Sequence, residues 1–336
     1  MARYDFASDN TAGVALEAMA AILSANDLGP AAGYGADTVT AEAADAVRAW
    51  LDADAEVRFV ASGTAANAIS LAALCRPFEA VLAHEHAHVT TDETGAPGFF
   101  GHGLGIIGLP GASAKIDPNA LDQALLGQDS AHKQSPAALS LTNATEYGAV
   151  YATSELNRLA AAARARSCAV HLDGARLANA VAAGFDQKAI AAAGVDILVL
   201  GGTKAGMPPT EAVVIFNKAL TRRFDARLKQ SGQLPSKGRF YAAPFIGMLR
   251  DGALERHAAH ANAMAKRLAD GMPFALKHPV QANGVFVDMP QEAHDRLTEA
   301  GWVAYRCLDG SVRFMCSWAT KAETVDQLLG AIVLMA

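Results

Sequence analysis

Cysteine is scarce in this 336-residue chain: only Cys75, Cys168, Cys307 and Cys316 occur, with no C-x-x-C pair. That excludes a disulfide-stapled scaffold and the common zinc-finger spacings. Sparse thiols are instead expected as small buried hydrophobes in a reducing compartment. Long apolar runs are missing as well. Mean hydropathy is slightly positive at +0.15, but that reflects abundant alanine. The run Ile197–Leu200 stops at Gly201-Gly202, far short of the roughly 20 apolar residues a membrane helix needs. There is no excess of positive charge either. With 28 basic against 34 acidic side chains the net charge is −6, which argues against a nucleic-acid partner. The start, Met1-Ala-Arg-Tyr-Asp-Phe6, lacks the charged-then-apolar layout of a signal peptide, so a cytoplasmic protein is expected. What is plentiful is apolar residues, 51% of the chain, enough for a large core.

Between about 57 and 216, short apolar runs alternate with helix-patterned stretches. The patterns predict strands over 56–61, 80–83, 104–109, 137–141, 168–172 and 195–200, and helices over 64–75, 154–166, 175–183 and 187–193. The run at 195–200 is apolar but for Asp196, as in a strand covered on both faces. Such alternation predicts an α/β fold with a mostly parallel sheet and helical crossovers. Beyond about Pro244 the texture changes. Leu254, Ala258, Ala261, Ala265 and Leu268 mark one face of a long amphipathic helix. Strands over 284–289, 302–307 and 311–316, helices over 291–300 and 322–334, and the turn Leu308-Asp-Gly310 predict a small α+β unit. We therefore expect a large domain over 1–245, including an N-terminal arm, and a small C-terminal domain over 246–336.

Three clusters carry residues suited to chemistry. Ala61-Ser-Gly-Thr-Ala-Ala-Asn67 follows a predicted strand and opens a helix. Gly63 lets a ligand approach the backbone, and the free N–H groups of a first helical turn favour an anion, with the Ser62 and Thr64 hydroxyls beside them. A plain N-cap at Ser62 or Thr64 fits the same pattern. In Val170-His-Leu-Asp-Gly-Ala-Arg176, Asp173 stands at the carboxyl end of a strand, where open α/β sheets hold ligands. There it can pair with a cationic nitrogen and Arg176 with an anionic oxygen; a helix cap and a solvated arginine fit equally. In Leu198-Val-Leu-Gly-Gly-Thr-Lys-Ala-Gly-Met207, Lys204 follows a buried strand and lies between glycines, whose missing side chains leave room for a bulky group on its amine. A desolvated lysine forms Schiff bases readily. A fourth signal competes: His84-Glu-His-Ala-His88 matches H-E-x-x-H, a zinc motif when it lies within a helix. Here it follows a strand-like run and leads into β-branched Val89-Thr-Thr91, so no metal is expected. A zinc hydrolase using His84 and His88 stays as the alternative from another class.

Taken in order, phosphate cup, aspartate and lysine resemble the fold-type I pyridoxal-phosphate enzymes. The longer series resembles the low-specificity L-threonine aldolases of the beta-eliminating lyase group. It comprises Ser8-Asp9-Asn10, Tyr34-Gly-Ala-Asp37, Ser62-Gly-Thr-Ala-Ala-Asn67, Ala87-His88 with Glu93-Thr-Gly95, Asn143-Ala-Thr-Glu-Tyr-Gly148, Asp173-Gly-Ala-Arg176, Gly202-Thr-Lys204 and Val312-Arg-Phe314. These pieces run in the family's order over nearly the whole chain. The resemblance implies pyridoxal 5'-phosphate as cofactor, carried as a Schiff base on Lys204. Gly63 and Thr64, with Ser62 as a weaker neighbour, would hold its phosphate, His88 would stack on its ring, and Asp173 would keep the ring nitrogen protonated. Ser8, Arg176 and Arg313 would bind the substrate carboxylate, Arg176 also reaching the ring hydroxyl. Tyr34 and Lys237 would reach a neighbouring subunit's site, which implies a homo-oligomer built of dimers with shared sites, a tetramer in the family pattern. Glu93 is open between orienting active-site groups and capping an exposed helix start.

The implied activity is cleavage of β-hydroxy-α-amino acids of the L-threonine and L-allo-threonine type to glycine and an aldehyde. A pyridoxal-phosphate β-eliminating lyase and a phenylserine-type aldolase are the neighbouring alternatives. One departure stands out: Thr145-Glu146 replaces the Thr-His of many relatives. The hydroxyl base is therefore expected to be His88, directly or through a water held by Glu146.

Overall fold

In the computed structural model, which describes residues 2–126 and 131–335, the apolar runs of the first two-thirds form a seven-stranded sheet. Its strands are β1 (Glu56–Val60), β2 (Glu79–His84), β3 (Gly105–Leu109), β4 (Ser135–Thr142), β5 (Ala169–Gly174), β6 (Ile197–Gly201) and β7 (Glu211–Ile215), in the order β1-β7-β6-β5-β4-β2-β3. All run the same way except β7, which is antiparallel to both β6 and β1. The mostly parallel sheet is as predicted, and β7 is the strand that sequence reading leaves out. Residues 202–210 are too few for a helical crossover, so the chain returns directly as an antiparallel neighbour.

Strands β6 and β7 are buried along their whole length, because helices cover both faces. On β6, Leu198 and Leu200 join the main core, while Ile197 and Val199 face the other way onto Ala66 and Ile69 of the helix Gly63–Leu74. That is the period-two alternation of a strand used on both sides. Sequence reading assigns nothing to residues 12–55, which hold the helices Leu16–Asp27 and Thr38–Leu51. The second is capped by Asp37, whose carboxylate accepts the Thr40 N–H at 2.8 Å.

Three antiparallel strands, β8 (Gly284–Val287), β9 (Tyr305–Arg306) and β10 (Val312–Met315), form a second sheet in the order β8-β10-β9. The helix Ala253–Asp270 buries the predicted face and joins the two layers: Leu254 and Ala258 lie in the main core, Ala265 and Leu268 in the second. The strand predicted over 302–307 shrinks to β9. Trp302 instead turns inward, pairing with Arg3 and packing on Phe6 with ring centroids 5.9 Å apart. The N-terminal residues are thereby tied to the second sheet, where the Met315 N–H donates to the Phe6 carbonyl at 2.9 Å. No helix among the described residues is long and apolar enough to cross a membrane.

Candidate active site

Chemistry-bearing residues gather at the carboxyl ends of the parallel strands, where this topology leaves a crevice. Asp173 on β5 lies between Thr142 of β4 and Val199 of β6. Lys204 follows β6, Glu146 follows β4, and His88 opens a short helix after β2. A cleft of about 520 Å³ is lined by Ser8, His88, Glu146, Arg176, Lys204 and Arg313, together with His86, Tyr147 and the β9 turn. Six of the predicted residues thus share one cavity.

Glycines shape the lysine turn, but not for the reason expected from sequence. A Cβ on Gly202 would lie 2.5 Å from the Thr210 carbonyl oxygen and 2.9 Å from the Met207 sulfur. The position is small because protein fills it, not to leave room for a group on the amine. Glu211, paired in register with Gly201, accepts the Gly202 N–H at 2.7 Å. Burial pushes this carboxyl up to about 7, with the Gly202 N–H, the Thr203 hydroxyl and the Lys204 charge pulling the other way. Lys204 itself is half-buried and makes no hydrogen bond or ion pair among the described residues. An amine so placed is free to react.

A buried chain of hydrogen bonds connects Asp173 to His88. The Asn67 amide donates to Asp173 at 2.8 Å and to Glu93 Oε1 at 2.9 Å. The same Glu93 oxygen meets His88 Nδ1 at 2.8 Å. The Ala175 N–H adds a 2.9 Å bond to the other Asp173 oxygen. Glu93 is 4% exposed, which removes the reading of an exposed helix-start carboxylate. Its hydrogen bond raises the His88 pKa above the ordinary imidazole value, against the opposing effect of burial. Burial in turn pushes Glu93 up. Glu146 Oε1 accepts the His88 backbone N–H at 2.9 Å and the Thr142 hydroxyl at 3.0 Å, while its Oε2 is buried without a partner. Burial pushes the Glu146 carboxyl up as well.

Two arginines face the cleft in different electrostatic states. Arg176 makes a bidentate pair with buried Asp9, Nε to Oδ2 at 2.6 Å and Nη2 to Oδ1 at 2.9 Å, and Asn283 adds a 3.1 Å bond to the same carboxylate. Burial opposes ionisation of Asp9, but the Arg176 charge and these bonds outweigh it and hold the carboxyl below its usual range. Arg176 therefore offers a ligand only its remaining amino group. Arg313 has no ion pair among the described residues. One Nη donates to the Ala7 carbonyl at 3.3 Å, and its Nε is buried without a partner. Burial and then the Arg176 charge lower its pKa. A desolvated, unneutralised guanidinium is an open anion site. Ser8 stands beside it as the cap of the turn Asp9–Thr11.

The remaining predicted residues lie apart. Ser62 caps the helix Gly63–Leu74, its Oγ accepting the Ala65 N–H at 3.3 Å. Gly63 and Thr64 form the first turn, one turn before Asn67, and a Cβ on Gly63 would meet nothing within 4 Å. The helix end is thus open to an anion, though these three do not line the cleft itself. Tyr34 and Lys237 belong to a separate loop pair, where the Tyr34 N–H donates to the Ser236 carbonyl at 3.2 Å. The zinc reading is overturned. His84 ends β2 and His88 begins the helix His88–Thr91, so no continuous helix presents both imidazoles to one ion, and His84 Nε2 is held by the Gly111 carbonyl at 3.0 Å. Sequence reading missed Asp9, Asn67, His86, Tyr147 and Glu211 as site residues. Asp9 and Asn67 fall within quoted motifs, and Glu211 breaks into an apolar run, but nothing local marks their partners.

Comparison with known proteins agrees with this arrangement. The beta-eliminating lyase family model matches residues 5–292. The chain is 42% identical over 334 residues to a low specificity L-threonine aldolase from Pseudomonas sp. strain NCIMB 10558, covering 97% of this chain and 96% of that protein. It is 43% identical over 330 residues to the protein of the same name from Pseudomonas aeruginosa, covering 96% and 95%. Its structure resembles that of the Leishmania major threonine aldolase with a TM-score of 0.92 and 29% identity, covering 99% of this chain and 100% of the other. A Thermus thermophilus aspartate aminotransferase, at TM-score 0.74 and 18% identity over 97% and 89%, shares the fold alone. With buried carboxylate, unpaired lysine and open guanidinium brought to one crevice, and with family and full-length relatives in agreement, the chain belongs to the beta-eliminating lyase family.

Proposed function

We propose that this protein cleaves β-hydroxy-α-amino acids of the L-threonine and L-allo-threonine type to glycine and an aldehyde, with pyridoxal 5'-phosphate as cofactor. The observation that carries the reading is the meeting of Lys204, His88, Glu146 and Arg313 in one cleft, over an Asp173 bonded through Asn67 and Glu93 to His88. This donor set fits the cofactor. Lys204 offers an uncommitted amine, Asp173 a buried carboxylate for a ring nitrogen, and the helix start at Gly63 open N–H groups for a phosphate. Bound pyridoxal phosphate supplies an electron sink for the electron pair left at Cα.

The protein's own groups do the rest. Lys204 holds the cofactor, and Asp173 keeps a proton on the ring nitrogen. Arg313, with Ser8 and the free amino group of Arg176, grips the substrate carboxylate and so orients the Cα–Cβ bond for cleavage. His88 removes the hydroxyl proton from the substrate oxygen, and Glu146 holds its backbone in place. As that proton leaves, the carbonyl forms and the Cα–Cβ bond breaks, and a proton taken up at Cα completes glycine. Product analysis tests the reading: glycine with acetaldehyde from L-threonine supports it, whereas ammonia with a keto acid marks a β-eliminating lyase instead.

Two predictions belong here. Replacing Arg313 with leucine removes the unpaired guanidinium, so KM for L-threonine should rise by about 10- to 100-fold, on the ~1.5–3 kcal/mol of a charge-assisted hydrogen bond. An unchanged KM removes it from the carboxylate site. The second concerns pH. His88 must be neutral to take a proton, and Glu93 raises its pKa, so the acid limb of kcat/KM should lie above pH ~6.5. Glu93→Gln should move that limb to lower pH, because the neutral amide no longer favours the imidazolium. A limb that stays in place excludes His88 as the base.

The reading extends to assembly and location. Tyr34 is 54% exposed, and Leu16, Leu23 and Leu28 are exposed on or beside one N-terminal helix, as expected if a second copy covers this side and takes Tyr34 and Lys237 toward its own cleft. A homotetramer made of such dimers, located in the cytoplasm, and a division into domains at about residue 245 complete the proposal.

A further inference from the structure

His86, the middle histidine of the failed zinc motif, lines the same cleft as Lys204 and Arg313. Its Nδ1 is bonded to the Tyr147 hydroxyl at 2.8 Å. No partner meets its Nε2 among the described residues. Tyr147 is 5% exposed and rigidly held: its ring stacks on His278 with centroids 4.3 Å apart and planes 8° from parallel. His278 is fixed in turn by Asp309 at 2.8 Å and by the Ser113 hydroxyl at 3.0 Å. The phenol is the better donor in a phenol–imidazole pair, which favours Tyr147 giving its proton to Nδ1. A neutral His86 then carries its own proton on Nε2, the ring nitrogen left without a partner among the described residues.

We propose that His86, aimed by Tyr147, donates a hydrogen bond from Nε2 to the β-oxygen of the substrate and so makes the cleft prefer amino acids that carry an oxygen at the β position. The inference rests on the reading that substrates are β-hydroxy-α-amino acids, and it assigns His86 a part separate from that of His88. One imidazole positions the hydroxyl oxygen while the other removes its proton. A donor on that oxygen also eases loss of the proton, since it stabilises the developing negative charge.

The test uses the holoenzyme and two ligands that cannot lose a hydroxyl proton, O-methyl-L-threonine and its hydrocarbon isostere L-isoleucine. Their affinities are read from the change in visible absorption. The wild-type protein should bind the ether more tightly by roughly five- to tenfold, the scale of one hydrogen bond. His86→Phe should abolish that preference while changing isoleucine affinity by less than about twofold. Tyr147→Phe leaves the imidazole in place but frees its tautomer, and should reduce the preference; it also covers the case in which the first variant does not fold. Absence of the ether preference in the wild type, or its persistence in His86→Phe or Tyr147→Phe, overturns the proposal. Product analysis of the wild type with L-threonine is run alongside. Ammonia and a keto acid there would sink the aldolase reading, whereas a lost ether preference with glycine and acetaldehyde intact would sink only the role of His86.

Discussion

Lys204→Ala should yield a protein that folds normally and fails to turn over, with activity reduced by at least about 10³-fold. The fold should tolerate the change because Lys204 makes no hydrogen bond or ion pair among the described residues. The turn around it is held by other groups: Glu211 on the Gly202 N–H, and Gly206 at φ +97°. Removing this half-buried amine deletes no hydrogen bond or ion pair given by the described residues. Borohydride treatment of the wild-type protein followed by peptide mapping should place the cofactor on the peptide containing position 204, and the variant should take up no label. Label on another lysine would end the assignment of this residue.

Asp173→Asn should lower turnover by on the order of 10²- to 10³-fold, the loss typical when one preorganised electrostatic partner is removed. The amide keeps the shape, and its one oxygen can still accept from Asn67 at the place of the native 2.8 Å bond. Its NH2 then faces the Ala175 N–H and that 2.9 Å bond is lost, so the circular dichroism spectrum should be kept while stability falls by about 1–3 kcal/mol. What disappears is the negative charge in a site that is 3% exposed, where water does little to replace it. Asp173 also favours the charged form of His88. The surviving activity should therefore show its acid limb shifted to lower pH, in the same direction as in Glu93→Gln. Full turnover in Asp173→Asn would remove the residue from any role at the ring nitrogen.

Reading the chain residue by residue goes a long way where chemistry is local. Strand β5 ending in Asp173, and β6 leading into Lys204, are visible because buried strands are short apolar runs and a charged residue just past one is conspicuous. The helix Ala253–Asp270 is likewise legible, since its buried residues repeat at spacings of three and four. Strand β7 is not, because an apolar run of its length has no direction written in it. Parallel or antiparallel depends on how much chain is available for the return.

The site divides along the same line. Asp173, Lys204 and the helix start at Gly63 stand out by neighbours a few positions away, though at Gly63 and Asp173 a helix cap fits the same pattern and only the family resemblance favours a ligand. The state of each charge came from residues far off in the chain. Asp9 neutralises Arg176 across 167 positions, Asn67 reaches Asp173 across 106, and Tyr147 aims His86 across 61. Arg313 reaches the neutral Ala7 carbonyl across 306 positions and stays an open cation because no carboxylate pairs with it among the described residues. Hydrogen bonds and ion pairs depend on distance in space, and folding brings together groups whose order along the chain carries no trace of that meeting.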